Sequence, residues 1–482
     1  MNNRFICRFT RDLRLEDNAA LAAAAEQGSV VTALILDEAL DASLLRSPRR
    51  AAFFCSAVAA LDAAVRERGG TLSVRRGDAT TALVQLAREC RADGVAWSAS
   101  YDSAGRRADA ALQGSLESAG LRAIIVHDAP AIPPDEIARD GTGYRAFQPY
   151  FERWRSSAVV SYDRPLLLRL APAEGDAEPL PSPERYGAKA IGGEVASPQH
   201  AAALLERFLA GSALAYASAR NVAARDGTSK LGPQLSFGTI ALRTVVRSVV
   251  RRLENPFLLS EERSSLRVFL RALAMRDFFL QLAWFHPESD EQPLQERMRD
   301  FVFATEHPAL DAWREGKTGF ALVDAGIRQL KECGWMHPHV RAVAASFLCF
   351  DLGVDWRIGR DVWDRMLVED DRAVATGNWQ WIAGVGADLA QYPRIYNPLR
   401  QQRRFDPESA YVRRYVDELR HLPSPAVDRW RGMPMLPIFD GSAYPEPVLD
   451  HDTAARAFLE RYRAHVAEQE RGQSTRPISS HP

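Results

Sequence analysis

Gly334-Trp335-Met336-His337 and Thr376-Gly377-Asn378-Trp379-Gln380-Trp381-Ile382-Ala383-Gly384 hold three of the ten tryptophans in this chain, in a region where arginine and aspartate are also dense. Tryptophan is scarce, large and redox-active, so its clustering beside charge is the strongest signal available. Beyond these stretches, 482 residues exceed one ordinary core and predict two or three domains. A hydrophobic share of 46% with 26% charged residues is that of a soluble globular protein. The net charge of -1 excludes a global basic field, so a nucleic-acid site has to be a local patch. Cys7, Cys55, Cys90, Cys333 and Cys349 lie far apart with no CxxC, which predicts buried, reduced thiols and supplies no zinc or iron–sulfur ligand set; no metal is expected. The first residues hold only a short apolar run before Arg8 and Arg11, so neither a signal peptide nor a membrane span is expected and the protein is read as cytoplasmic.

Through residue 128, short β-rich runs alternate with alanine-rich helical stretches, the pattern of a parallel α/β sheet. The expected strands cover 5–9, 30–36, 71–74, 95–98 and 123–127, with helices such as 52–67 and 80–90 between them. The turn after the first strand reads Phe9-Thr10-Arg11-Asp12-Leu13-Arg14. It lacks the glycines that let a dinucleotide-binding backbone approach a pyrophosphate, so the main cofactor is expected elsewhere. Residues 129–198 are expected to connect two domains, with Pro179-Leu180-Pro181-Ser182-Pro183 and Gly192-Gly193 in the stretch of weakest periodicity. From 199 to 470 the pattern is almost wholly helical, as in 201–210, 242–253, 265–285 and 340–352, and 471–482 is a polar tail. The expected fold class is α/β plus all-α, a Rossmann-like domain over 1–128 followed by a helical domain.

Gly227-Thr228-Ser229-Lys230-Leu231-Gly232-Pro233 precedes a helical pattern and offers two hydroxyls, a cation and backbone N–H groups, a turn suited to a diphosphate. Downstream, Lys317-Thr318-Gly319-Phe320 runs through Val323-Asp324-Ala325, Arg328-Gln329-Leu330 and Gly334-Trp335-Met336-His337 to Arg341, then Ala345-Ser346-Phe347, Asp355-Trp356-Arg357 and Asn397-Pro398. Upstream stand Arg11-Asp12-Leu13-Arg14-Leu15-Glu16-Asp17-Asn18 and Tyr144-Arg145-Ala146-Phe147-Gln148-Pro149-Tyr150. In this order, from residue 4 to about 420, the motifs resemble the photolyase/cryptochrome family, whose members bind FAD and use blue light.

That resemblance implies a helical FAD-binding domain and a set of site residues. It assigns Tyr216, Thr228, Ser229, Lys230 and Leu231 to the FAD phosphates, with Gly232 where the family usually has Ser. It assigns Trp335, Arg276, Arg341 and Asp371 to the flavin, and puts Glu369 in place of the Asp that pairs with Arg341. Arginines near an isoalloxazine stabilise negative charge on the reduced ring. Ala375 stands beside flavin N5, where photolyases have Asn; its methyl group offers N5 no hydrogen bond. Trp379 and Trp356 match the first two members of the family's chain of three electron-transfer tryptophans, and Phe303 takes the third place. Trp363, seven residues after Trp356 and so on the same helix face, and Trp313 are the expected substitutes.

In the substrate pocket, Ala272 and Met275 replace the Glu and stacking Trp of repair enzymes, while Pro338 and Ala342 stand where (6-4) enzymes have histidines. Repair of (6-4) products is therefore not expected. Trp381 remains to stack on a flipped base, with His339 and Met275 beside it. Arg394, Arg400, Arg403 and Arg404 fall within 391–404, which contains no acid, and are expected to hold DNA phosphates. After Tyr101-Asp102, Ala104 and Gly105 stand where the folate-binding subtype has Asn-Glu, so a folate antenna loses support and the expectation is a deazaflavin as second chromophore, or none. The resulting expectation is a monomer that repairs cyclobutane pyrimidine dimers in DNA by electron transfer from reduced FAD, with Trp379, Trp356 and Trp381 as its working aromatics. The competing expectation is a blue-light receptor without repair activity, which Ala272, Met275, Pro338 and Ala375 favour. A thermal flavin oxidoreductase would need a substrate acid or base that no motif supplies.

Overall fold

The computed structural model describes residues 3–157, 168–173, 175, 177–190, 195–387, 392–424, 427 and 444–474. It divides into two compact units, one made of Met1–Ala219, Gly227–Asp290 and Asp364–Val374, the other of Arg220–Asp226, Glu291–Trp363 and Ala375–Pro482. Gly192-Gly193 lie outside the described residues.

In the first unit all five expected strands form, as β1 (Arg4–Phe9), β2 (Ser29–Leu36), β3 (Leu72–Arg76), β4 (Gly94–Ser98) and β5 (Arg122–Val126). They pair in parallel in the order β3-β2-β1-β4-β5. A parallel sheet is covered on both faces, which is why β2 is a nearly unbroken apolar run buried from Val30 to Leu36. One face packs Phe53, Phe54, Val58 and Leu61 of the helix Pro48–Glu67 on Phe5 and Leu34. The other packs Leu83 and Leu86 of Ala79–Cys90 and Leu112 of Ser103–Ser118 on Ile6, Val31 and Trp97. Chain order reverses between β1 and β4, the point in an open α/β sheet where ligands lodge against the strands' carboxyl ends.

The segment 11–18 turns out to be a structural lock. Asp128 takes Arg14 at 2.8 Å and Arg243 at 2.7 Å, while Asp17 takes Arg243 at 3.0 Å and Arg247 at 2.9 Å. Burial pushes the Asp128 carboxyl up, but the two guanidiniums outweigh it and hold the group well below the usual carboxylate range. Asn18 caps the helix Ala19–Gln27 by accepting from Leu21 N at 2.8 Å.

Two helical expectations change. The helix expected from 265 begins at Ser260, because Glu262 accepts from Leu259 N at 2.8 Å and secures an extra turn. The helix expected over 340–352 divides into the α-helix Pro338–Ser346 and the π-helix Phe347–Asp351. The wider turn delivers Asp351 to His451, the first residue of the helix His451–Ser474, with Oδ1 and Nδ1 2.5 Å apart. Cys333, at the end of Ala321–Cys333, is exposed rather than buried; the other four thiols are buried. Among the described residues no helix is long and apolar enough to cross a membrane, and no group of three or more His, Cys, Asp or Glu is placed to hold a metal ion.

Candidate functional site

The first unit carries the turn over 227–231. Gly227 is required there: a Cβ would stand 2.7 Å from the Ala219 carbonyl oxygen. Lys230 takes the left-handed conformation with φ 53° and is exposed, while Leu231 N donates to Ser229 Oγ at 3.4 Å. The helix that follows, Gly232–Ser236, has five residues, shorter than the pattern suggests. Its dipole is correspondingly small, so an anion at the turn would be met chiefly by the turn's own N–H groups, hydroxyls and ammonium. Tyr216 packs edge-on against Phe269 at 5.2 Å and Phe208 at 6.0 Å.

The departures at 232 and 369 prove to be one feature. A Cβ on Gly232 would lie 2.5 Å from Glu369 Oε1, so the longer acid occupies the space that a serine would fill. The next residue, Asp370, is a structural position absent from the expected set. It pairs with Arg11 at 2.9 Å and Arg50 at 3.7 Å, takes Ser43 Oγ at 3.0 Å, and donates its own N–H to Ser236 Oγ at 2.8 Å. This clip fixes the acids on either side of it. Burial alone would raise the Asp370 carboxyl, but Arg11 and Arg50 bring it below its ordinary value.

Arg276 forms an ion pair with Asp371, whose Oδ1 also accepts from Val374 N at 3.3 Å. The Arg276 Nε is buried and has no hydrogen-bond partner among the described residues. The neighbouring Asp277, also missed, takes Trp154 Nε1 at 2.7 Å and the backbone N–H of Ala131 and Ile132, which sets the rotation of the helix Ser260–Phe285. A doublet such as Arg276-Asp277 says only that two charges lie on adjacent helix faces; which one turns inward depends on the loop it meets. On the same helix, Ala272 and Met275 are half-buried. Arg276 and Asp371 line one side of a cavity of about 300 Å³ that also takes in Thr10, Arg11, Ile35 and Tyr101, at the carboxyl ends of β1, β2 and β4. Ala104 and Gly105 line it too.

The second unit carries Trp335, set edge-on to His337 at 6.2 Å, and Arg341, whose Nε donates to the Met336 carbonyl at 2.8 Å. Pro338 is exposed and Ala342 half-buried. His339 lies 4.3 Å from the Phe405 ring, with Nε2 3.1 Å from Gln401 Oε1. Burial pushes its pKa down to about 4, with Arg220 and Arg404 adding to the effect, so it is neutral at ordinary pH and spends one N–H on Gln401. Arg394, Arg400, Arg403 and Arg404 are all exposed, the last three on the helix Pro398–Phe405.

The tryptophans of this unit pack in an order that spacing alone leaves open. The rings of Trp379 and Trp363 are 4.4 Å apart, and Trp313 stacks on Trp363 at 6.2 Å and 16°. Trp379 reaches Trp363 over Gly359, where a Cβ would come within 2.2 Å of its indole. Trp356 is fully buried under two cations, Arg357 at 5.0 Å and Arg360 at 5.1 Å from its ring. Phe303 packs with Phe301 at 4.9 Å and Phe458 at 6.1 Å. Trp381 is half-buried, and Gln380 between the two indoles is tied down by Leu294 N at 2.9 Å and the Gln292 carbonyl at 2.8 Å. Ala375 is half-buried in the helix Arg372–Ala383.

Two family models match the chain: DNA photolyase over residues 5–172, and the FAD binding domain of DNA photolyase over 269–464. A deoxyribodipyrimidine photo-lyase of Halobacterium salinarum is 33% identical over 94% of this chain and 98% of its own length. Among solved structures, a bacterial class III photolyase from Agrobacterium tumefaciens superposes with a TM-score of 0.84 at 29% identity, covering 97% of this chain and 98% of that one. An archaeal photolyase from Sulfolobus tokodaii, solved with two FAD molecules and discussed for a novel light-harvesting cofactor, superposes with a TM-score of 0.81 at 25% identity, covering 96% and 100%.

Proposed function

Because the chain belongs to the DNA photolyase family, we propose that it is a blue-light-dependent deoxyribodipyrimidine photo-lyase that repairs cyclobutane pyrimidine dimers in DNA. Bound FAD, reduced and excited by light, supplies the electron that splits the dimer. The observation that carries the reading is the match to the FAD binding domain of DNA photolyase over residues 269–464, a span that contains the Arg276–Asp371 ion pair. Tyr216, Thr228, Ser229, Lys230, Leu231, Arg276, Trp335, Arg341, Glu369, Asp371 and Ala375 would hold the FAD. Arg276 and Arg341 stabilise negative charge, and Asp371 orients Arg276.

Trp379 would reduce oxidised, light-excited flavin to its working state, and Trp363 and then Trp313 would refill the vacancy left on Trp379. Trp356, the family's second member, sits beneath two guanidiniums that raise the energy of a positive charge on its ring, which favours the Trp363 branch. Met275, His339 and Trp381 meet the flipped base, and Arg394, Arg400, Arg403 and Arg404 neutralise phosphates. A second chromophore, a deazaflavin rather than a folate, occupies the cavity at the ends of β1, β2 and β4, whose position at the sheet's reversal point suits a planar ligand. The protein acts as a cytoplasmic monomer.

The deciding experiment measures loss of cyclobutane dimers from a defined oligonucleotide in light and in darkness, on protein whose extracted cofactor has been identified as FAD. Light-dependent loss is expected. FAD-loaded protein that reduces its flavin in light yet leaves dimers intact would instead establish the photoreceptor reading, for which Ala272, Met275 and Ala375 speak.

A further inference from the structure

The cavity at the ends of β1, β2 and β4 has one wall with chemistry that the repair reaction leaves unused. Tyr101 lines the cavity and is 6% exposed. Its hydroxyl meets His127 Nδ1 at 2.6 Å, and His127 does not line the cavity. His127 Nε2 lies 3.3 Å from Asp135 Oδ2, and the Asp135 side chain is 64% exposed. Trp284 braces the arrangement: its ring meets His127 edge-on at 4.6 Å, its Nε1 donates to Asp135 Oδ1 at 3.3 Å, and Arg106 lies 4.3 Å over its face. A continuous hydrogen-bonded path thus runs from a phenol on the cavity wall to a carboxylate in water.

The proton positions along it follow from burial. Burial lowers the His127 pKa against the pull of Asp135, so the imidazole is neutral and has one accepting nitrogen. That nitrogen is Nδ1, which takes the Tyr101 O–H, while Nε2–H donates to Asp135. Burial also holds the Tyr101 hydroxyl in its protonated form. The phenol therefore keeps its proton until something oxidises the ring. Burial does not by itself demand such a path, since Tyr150, buried in the same unit, has no partner for its hydroxyl among the described residues.

We infer that Tyr101 is a proton-coupled electron donor to the light-absorbing ligand of this cavity, an inference that rests on the cavity's holding a chromophore of the flavin or deazaflavin class. One electron leaves the Tyr101 ring for the photo-excited chromophore. The O–H proton passes to His127 Nδ1, Tyr101 becomes a neutral radical, and the new imidazolium is held by Asp135. Return of the electron and of the proton restores both side chains. The route is separate from Trp379, and it competes with light harvesting by quenching the excited ligand.

The test uses FAD-loaded protein carrying Trp379→Phe, so that the tryptophan relay is silent, with FMN and 8-hydroxy-5-deazaflavin as probes. Retention of each probe is measured first by filtration and absorbance. With a probe retained, Tyr101→Phe is expected to lengthen its fluorescence lifetime several-fold and to abolish the transient absorption of the neutral tyrosyl radical, and D2O to slow that radical's formation. His127→Asn, which keeps the phenol ring, is expected to slow quenching and remove the isotope effect; it decides the matter if Tyr101→Phe loses the probe. An unchanged lifetime in either probe-bound variant overturns the donor role and leaves the cavity reading intact. Failure to retain both probes overturns the cavity reading and the inference with it.

Discussion

Gly232 and Glu369 show how two departures from a family pattern become one substitution. The carboxylate reaches the place where a Cβ at 232 would stand, 2.5 Å away. Gly232→Ser alone should therefore displace Glu369, weakening FAD retention and lowering stability by about 1 kcal/mol. The pair Gly232→Ser with Glu369→Asp should recover most of that loss. A double-mutant cycle on FAD affinity reads the coupling, expected in the range of ~0.5–3 kcal/mol for residues in contact, and strict additivity would show the two positions to be independent. The tryptophans allow a similar comparison. Trp379→Phe should slow flavin photoreduction strongly, and Trp363→Phe, removing the ring 4.4 Å from it, should shorten the lifetime of the radical pair more than Trp356→Phe does. Transient absorption after a laser pulse measures both, and an undiminished rate in Trp379→Phe would rule the relay out.

At the scale of an element, the helix Ser260–Phe285 depends on a charge that most helices would turn outward. Asp277 is fully buried against Ala131, Ile132 and Trp154, and burial pushes its carboxyl up to about 7 although those N–H donors favour the ion. Its folded pKa is thus above the value of about 3.9 expected in an unfolded chain. The unfolded chain gives up this proton first as pH rises. The stabilising contribution is therefore complete below about pH 4 and is lost progressively as pH climbs through 7, with a total on the order of 4 kcal/mol. Urea denaturation between pH 5 and 8 should show this decline superposed on other titrations. Asp277→Asn, neutral throughout, should flatten it, and an equal slope in the two proteins would place the titrating group elsewhere.

For the whole molecule, a net charge of -1 means that nucleic-acid affinity has to come from geometry. The proposed local source is the four exposed arginines at 394, 400, 403 and 404. Each phosphate they neutralise adds about -0.9 to the slope of log affinity against log salt, so Arg403→Ala with Arg404→Ala should lower the steepness by ~2 and weaken damaged and undamaged duplexes alike. Lesion preference should be modest, because Ala272 and Met275 lack the hydrogen bond and the aromatic stack, the latter worth ~1–3 kcal/mol per base. Fluorescence anisotropy across a salt series checks both; tight, dimer-specific binding would mean that Met275, His339 and Trp381 form a better pocket than their chemistry suggests.

What the amino-acid order determined by itself is local or periodic: five strands close to their expected bounds, the helical character of the second half, the turn at 227–231, and the ordered motifs that mark the family. Alternation and helical spacing survive folding because each strand or helix must bury its own apolar face whatever it packs against. The tertiary structure decided what depends on distance between residues far apart in the chain. It set Trp363 4.4 Å from Trp379, made Gly232 and Glu369 one feature, clipped Asp370 between Arg11 and Arg50, split the helix expected over 340–352 at a π-turn, and joined Tyr101, His127 and Asp135 into a path to water. A short-range pattern carries no record of which side chains meet across a fold, since the energy of a buried charge or a ring contact is set by the partner and not by the spacing.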